Sequence, residues 1–176
     1  MKRDKNLHPL SWEHHHALTS VVLTRRHIKD NAPRERLAQT AGEFVGFHRD
    51  NLLPHFRHEE EVVLPLYLNH VPESDPDVLR LLTDHVVLHR LVGVVWRVAK
   101  GDGDLVPALT ALTDRLEAHV RFEERELFPK IEAALTAEEL ASVGEELYAE
   151  PPGPVIIPGG DGCRIDPTPK NADLEP

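Results

Sequence analysis

Residues 55–65 read HFRHEEEVVLP and residues 119–129 read HVRFEERELFP. Aligned without gaps, the two stretches share His55/His119, Arg57/Arg121, Glu59/Glu123, Glu60/Glu124 and Pro65/Pro129. Each copy sets a histidine four residues before a glutamate. On a helix, positions i and i+4 lie on one face, one turn apart. Each copy therefore presents an imidazole and a carboxylate side by side. Those donors suit a transition metal, and two such pairs on two helices point to a metal held inside a helical bundle.

Other histidines extend the pattern. His85 and His89 also stand four apart, on a third helical segment. A seventy-residue shift places His15 over His85, Leu18 over Leu88, Val21 over Leu91 and Val22 over Val92. The chain reads as two copies of a helix pair, each giving a His from its first helix and a His-Glu pair from its second. The candidate ligands are His15, His55, Glu59, His85, His89, His119 and Glu123. All are expected to face inward. Leu81, Leu82, Val92, Val95 and Trp96 continue the stripe of His85 and His89. Leu52 and Val62 do so for the second segment, and Leu112, Leu116 and Leu127 for the fourth. An ionised Glu in an apolar core is expensive unless it is paired or metal-bound. A metal compensates two of them beside five imidazoles.

Coordination arithmetic favours two ions. Two octahedral metals offer twelve positions. Five imidazoles, two bridging carboxylates and one bridging oxide or hydroxide leave a single position open to a small ligand. Imidazole with carboxylate suits iron, and manganese or zinc less well. The bland alternative is a hydrated helix face, since HxxxE alone is common there. Two gapless copies plus HxxxH on a third segment outweigh it. In the run His14-His15-His16 only one or two residues can face a core. His48, seven residues before His55, reads as a supporting or core histidine. His8, His27, His58 and His70 read as surface residues. Glu60, Glu61, Glu124 and Glu126 read as a solvated face, with Glu60 and Glu124 placed to orient neighbouring ligands.

At 176 residues the chain is one domain by prior. A net charge of −10 without a basic stripe argues against a nucleic-acid partner. The single cysteine, Cys163, excludes a disulfide framework or a thiolate metal cage. No apolar run approaches a membrane span and no signal-peptide pattern opens the chain, so a soluble, cytoplasmic protein is expected.

The expected class is all-α: an antiparallel up-down-up-down four-helix bundle with a short fifth helix and an extended C-terminal tail. The first helix is expected over about 11–30, with Ser11 as its N-cap. The second spans about 34–69, with a kink at Pro54. The third runs over about 76–100 to the stop at Gly101-Asp102-Gly103, and the fourth over about 104–135. Thr136 and Glu139 form a capping box that opens the fifth helix, to about 149. The domain is expected over residues 8–149. Residues 150–176, rich in Pro and Gly, read as a disordered tail.

EHHHAL, PHFRHEEEVVLP, DHVVLH and AHVRFEERELFP, in this order on four helices, resemble the hemerythrin-like, or HHE cation-binding, domain. The resemblance covers about residues 8–135. It implies a four-helix bundle around a non-haem di-iron centre, oxo- or hydroxo-bridged, with His15, His55, Glu59, His85, His89, His119 and Glu123 as ligands. His14 is the alternative on the first helix; His15 is preferred because Leu18 follows it by three. Oxygen-carrying hemerythrins end in HxxxxD, whereas this chain has His119 and Glu123 as HxxxE. That is closer to the bacterial and regulatory branch. The implied role is binding, sensing or scavenging oxygen, nitric oxide or peroxide, rather than that of a dedicated enzyme. Iron storage or iron donation for repair is the alternative. A ferritin-like di-iron oxidase ranks lower, because Glu13-His16 is the only ExxH. A metal-free helical interaction module is the remaining class.

Overall fold

The computed structural model describes residues 3–149, 155–160 and 164–165. Four helical rods and a fifth helix account for most of them. The first rod is α1 (His8–Lys29), entered through a single 3-10 turn at Lys5–Leu7. The second joins α2 (Arg34–Phe47), α3 (Leu53–His58) and α4 (Leu64–Tyr67) through π-turns. The third is α5 (Pro76–Lys100). The fourth joins α6 (Leu105–Phe122) and α7 (Phe128–Ala134). Helix α8 (Ala137–Ala149) packs on the 3-10 entry turn. α1 packs on α6, α2 on α5, and α5 on α6. Among the described residues, no helix is long and apolar enough to cross a membrane.

Local chemistry explains most boundaries. Asp75 caps α5 by accepting from the amides of Asp77 and Val78, and Asp104 caps α6 by accepting from Val106. The Thr136–Glu139 capping box forms as expected. α1 ends at Lys29 and the chain turns away through Asn31, whose φ of 51° is left-handed, a conformation Asn tolerates. Its start differs from expectation. The helix begins before Ser11, and the Ser11 hydroxyl donates to Glu124 at 2.7 Å instead of capping. Pro9 is accommodated because first-turn amides have no intrahelical acceptor.

Three prolines shape the site. π-turns occupy His48–Leu52, Glu59–Val63 and Glu123–Leu127. Each ends two residues before a proline: Pro54, Pro65 and Pro129. Proline has no N–H and crowds the carbonyl four residues back. The chain relaxes by one wider turn, in which Leu64 N–H reaches Glu59 C=O and Phe128 N–H reaches Glu123 C=O. The expected disturbance at Pro54 thus takes the form of a π-turn, and the same device recurs at both HxxxE motifs.

The core is layered. One apolar cluster contains Ala17, Phe56, Leu88, Leu116 and Val120. A second contains Leu10, Val63, Leu81, Phe122 and Leu127. Between them, His14, His55, Glu59, His85, His119 and Glu123 form a buried polar layer. Full burial of a large apolar side chain contributes about 1.5–3 kcal/mol. Both flanking layers thus supply the stability that a polar layer does not.

Part of the tail is ordered. Residues Val155–Ile156 pair antiparallel with Arg164–Ile165, and Val155 and Ile157 are buried against the helices. The expectation of a disordered tail does not hold for residues 155–160. For residues 150–154, 161–163 and 166–176, Cys163 included, it lies outside the described residues.

Candidate metal centre

Helical phase sets which side chains enter the polar layer. On α1, Leu10, His14, Ala17, Val21 and Thr24 are buried at alternate spacings of four and three, with Ser20 buried beside Val21. On α5, Leu81, His85, Leu88, Val92 and Val95 are buried with the same spacing, beside Val78 and Asp84. The internal repeat therefore aligns His14, not His15, with His85. His15 lies one residue, about 100°, around the helix and is exposed. This corrects the choice of His15. Leu82 and Trp96, expected on the inward stripe, are likewise exposed, at 38% and 40%.

Two clusters of ligand atoms result. His14, His55, Glu59 and Glu123 form one; Glu59, His85, His119 and Glu123 form the other. The two carboxylates are common to both. His14 Nε2 lies 3.0 Å from His55 Nε2 and 2.9 Å from Glu123 Oε2. His85 Nε2 lies 3.2 Å from Glu59 Oε2, and His119 Nε2 3.1 Å from Glu123 Oε1. Despite these distances, both oxygens of Glu59 and of Glu123, and Nε2 of His85 and His119, lack hydrogen-bond geometry to any partner. These six inward atoms without hydrogen bonds are costly unless a cation satisfies them. The donor set fits metal ions on that ground.

A ring of acids aims the imidazoles. Nδ1 of His14 donates to Glu124 at 2.7 Å, that of His55 to Glu13 at 2.7 Å, and that of His85 to Glu60 at 2.7 Å. His119 Nδ1 faces Asp84 at 3.7 Å, an ion-pair distance rather than a hydrogen bond. Holding Nδ1–H outward leaves each Nε2 lone pair pointing inward, the arrangement that metal-ligating histidines require. The pattern is two-fold. Glu13 and Asp84 each precede an inward His and serve the second helix of their own pair. Glu60 and Glu124 each follow a shared Glu and serve the first helix of the other pair. The sequence reading assigned Glu60 and Glu124 mainly to a solvated face and overlooked the supporting roles of Glu13 and Asp84. The adjacent pairs Glu13-His14 and Asp84-His85 were the available signal.

Charge in the metal-free layer follows from these contacts. Burial pushes His14 down, but Glu123 and Glu124 outweigh it and hold the imidazole at about 10. Burial opposes charge on His55 too, yet Glu59 and Glu13 raise it; Glu59 and Glu60 do the same for His85. Burial raises Glu59, but His55, His85 and His119 hold it at about 2. Glu124 is also held at about 2, against burial, by His14, Arg3 and Ser11. Protons therefore occupy the layer where a cation fits.

His89 stands apart from both clusters. Its Nδ1 lies 2.7 Å from His48 Nε2, and Phe56 stacks on His85 at 3.9 Å between ring centres. Burial lowers His89 and, together with His89, holds His48 at about 4, so the pair is neutral. The structure thus brings together His55, Glu59, His85, His119 and Glu123 of the expected set, adds His14, and places His15 and His89 elsewhere.

A cavity of about 20 Å³ is bordered by His14, His55 and His119. That is roughly the room one water needs. Its wall is mainly apolar, from Ala17, Phe47, Leu52, Leu116, Val120 and Val155.

The profile of the hemerythrin HHE cation binding domain matches residues 10–131. Comparison with curated proteins and with solved structures gives no match.

Proposed function

The chain belongs to the hemerythrin HHE cation-binding family, and from that premise we propose that it holds two iron ions and binds a small ligand beside them. The observation that carries this reading is the sharing of Glu59 and Glu123 between two four-residue clusters, with all four carboxylate oxygens lacking a hydrogen bond. In the proposed arrangement His14 and His55 would hold one ion and His85 and His119 the other, with Glu59 and Glu123 available to both. Imidazole and carboxylate donors suit iron, with manganese or zinc less favoured. Iron bound here supplies redox-active Lewis-acid positions.

The residues of the chain do the rest. Glu124, Glu13, Glu60 and Asp84 fix the imidazole planes. Phe56 stacks on His85 and lines the cavity, which His14, His55 and His119 also meet while His85 does not. Four imidazoles and two shared carboxylates would hold the ions, one imidazole fewer than expected from the sequence, which would leave more room for a small ligand. We read the protein as one that binds, senses or scavenges oxygen, nitric oxide or peroxide, with no partner beyond that ligand implied by the site.

Elemental analysis after anaerobic reconstitution with ferrous ion tests the proposal, on protein made without a His tag. About two irons per chain are expected. Glu59→Ala and Glu123→Ala are each expected to fall well below two, because each removes a ligand from both clusters. Zinc at one per chain with no iron taken up overturns the reading.

A further inference from the structure

One wall of the ligand cavity comes from outside the matched helical domain. Val155 lines the cavity with Ala17, Leu116 and Val120, and it is 1% exposed. A short strap holds it there. Ile157 is buried, and Gly160 N–H donates to Ile157 C=O at 3.0 Å, closing a turn. Gly159 N–H donates to Glu43 Oε2 at 2.8 Å. Arg36 donates to the carbonyls of Gly159 and Gly160 at 3.2 and 3.0 Å.

The strap lies directly on α1. Gly159 has φ +78°, and a Cβ there would meet Thr24 N at 3.0 Å and Leu23 Cβ at 3.1 Å. No other residue suits that backbone and that approach. The turn at residues 157–160 therefore anchors on α1 and α2 and delivers Val155 to the cavity.

We propose that Val155 is a specificity-determining residue: its isopropyl group sizes the cavity for a diatomic ligand and excludes longer ones. The inference rests on the metal-centre reading above. The other apolar walls belong to rods fixed by the bundle core, whereas Val155 is added by a strap of six residues. At about 20 Å³ the space suits one small molecule. A linear three-atom anion needs more room along its axis.

Nitric oxide and azide are the probes, applied to the iron-loaded chain and to two variants. Val155→Ala removes two methyl groups from the wall. Gly159→Ala leaves the wall chemistry intact but forces the strap off α1. Both are expected to keep iron at about two per chain, since neither residue touches a ligand. Both are expected to strengthen azide binding about tenfold, the scale of relieving one or two methylenes of obstruction. Nitric oxide affinity should stay within about twofold. A separate readout uses metal-free protein. Hydrogen exchange at the Gly159 amide should be slow in the wild type and Val155→Ala, and fast when the strap is released in Gly159→Ala.

Azide affinity unchanged in both variants at full iron content overturns the role of Val155 and leaves the metal centre standing. Wild-type protein that takes up no iron overturns the metal centre and this proposal with it. Unprotected Gly159 in the metal-free wild type overturns the strap on its own.

Discussion

His14→Ala and His15→Ala set the inward phase of α1 against the alternative one residue away. His14 is 3% exposed, and its Nε2 converges on His55 and Glu123. Its removal leaves one cluster with three protein donors and the other with four. Loss of a group that merely orients a ligand weakens metal binding about 10–100-fold. Loss of the ligand itself should reach at least the upper end, about 2.7 kcal/mol. At ferrous concentrations where the wild type holds two irons, His14→Ala should hold about one. His15→Ala should stay within about twofold of wild type at both positions. The metal-free fold should feel the change too. Without His14, Glu123 loses one of its two close imidazoles and keeps His119, while Glu124 keeps Arg3 and Ser11. Breaking a buried ion pair costs about 3–5 kcal/mol, and the surviving partners of Glu124 put this case near 3. For a chain of this size that is roughly 6–12 °C in melting temperature. Anaerobic titration against a competing chelator, elemental analysis and calorimetry of both variants provide the assay. Retention of two irons by His14→Ala, with loss in His15→Ala, refutes the phase assignment and the two-fold site built on it.

Three further outcomes follow from the same geometry. Glu60→Gln and Glu124→Gln should each weaken iron binding about 10–100-fold without lowering the stoichiometry at saturation; wild-type affinity in both means that the acids do not orient His85 and His14. Chelation should destabilise the loaded protein by about 2.7 kcal/mol for each site held at one hundred times its dissociation constant, or roughly 5–11 °C; coincident melting curves of loaded and stripped protein contradict a metal-filled layer. The third outcome concerns pH. His14 in the metal-free protein is raised from 6.5 to about 10, so its stabilising contribution is complete below 6.5 and is lost as pH climbs towards 10. Iron must displace that proton, so binding strengthens over the same interval. The melting-temperature gap between loaded and metal-free protein should therefore widen as pH rises, and a gap that narrows removes the buried imidazolium from the account.

Local signals carried much of the fold. The Thr136–Glu139 box and the stop at Gly101 act through backbone groups within a few residues, so the sequence shows them directly; the caps Asp75 and Asp104, seen in the structure, are equally local. The HxxxE pairs are equally local, because one helical turn brings His55 to Glu59 and His119 to Glu123 whatever surrounds them. Other features were hidden for physical reasons. Ser11 has the chemistry of a cap, but Glu124, distant in sequence, competes for its hydroxyl. Pro65 and Pro129 were visible as parts of a repeat. Their consequence, a wider turn beginning at each shared glutamate, emerges from how the helix relaxes around a missing N–H.

By itself the sequence determined the donor types, their pairing on helices, and the two-fold repetition that makes a two-metal layer reasonable, since these depend on residue identity and helical period alone. The tertiary structure decided which of His14 and His15 faces inward, because adjacent residues differ by about 100° and only packing of α1 against its neighbours selects the phase. It also set Glu13, Glu60, Asp84 and Glu124 beside imidazoles on other helices, and His89 against His48. It brought Val155 to the cavity wall from a segment whose composition suggested no structure. Each of these depends on contacts between residues far apart in the chain, which no local period encodes.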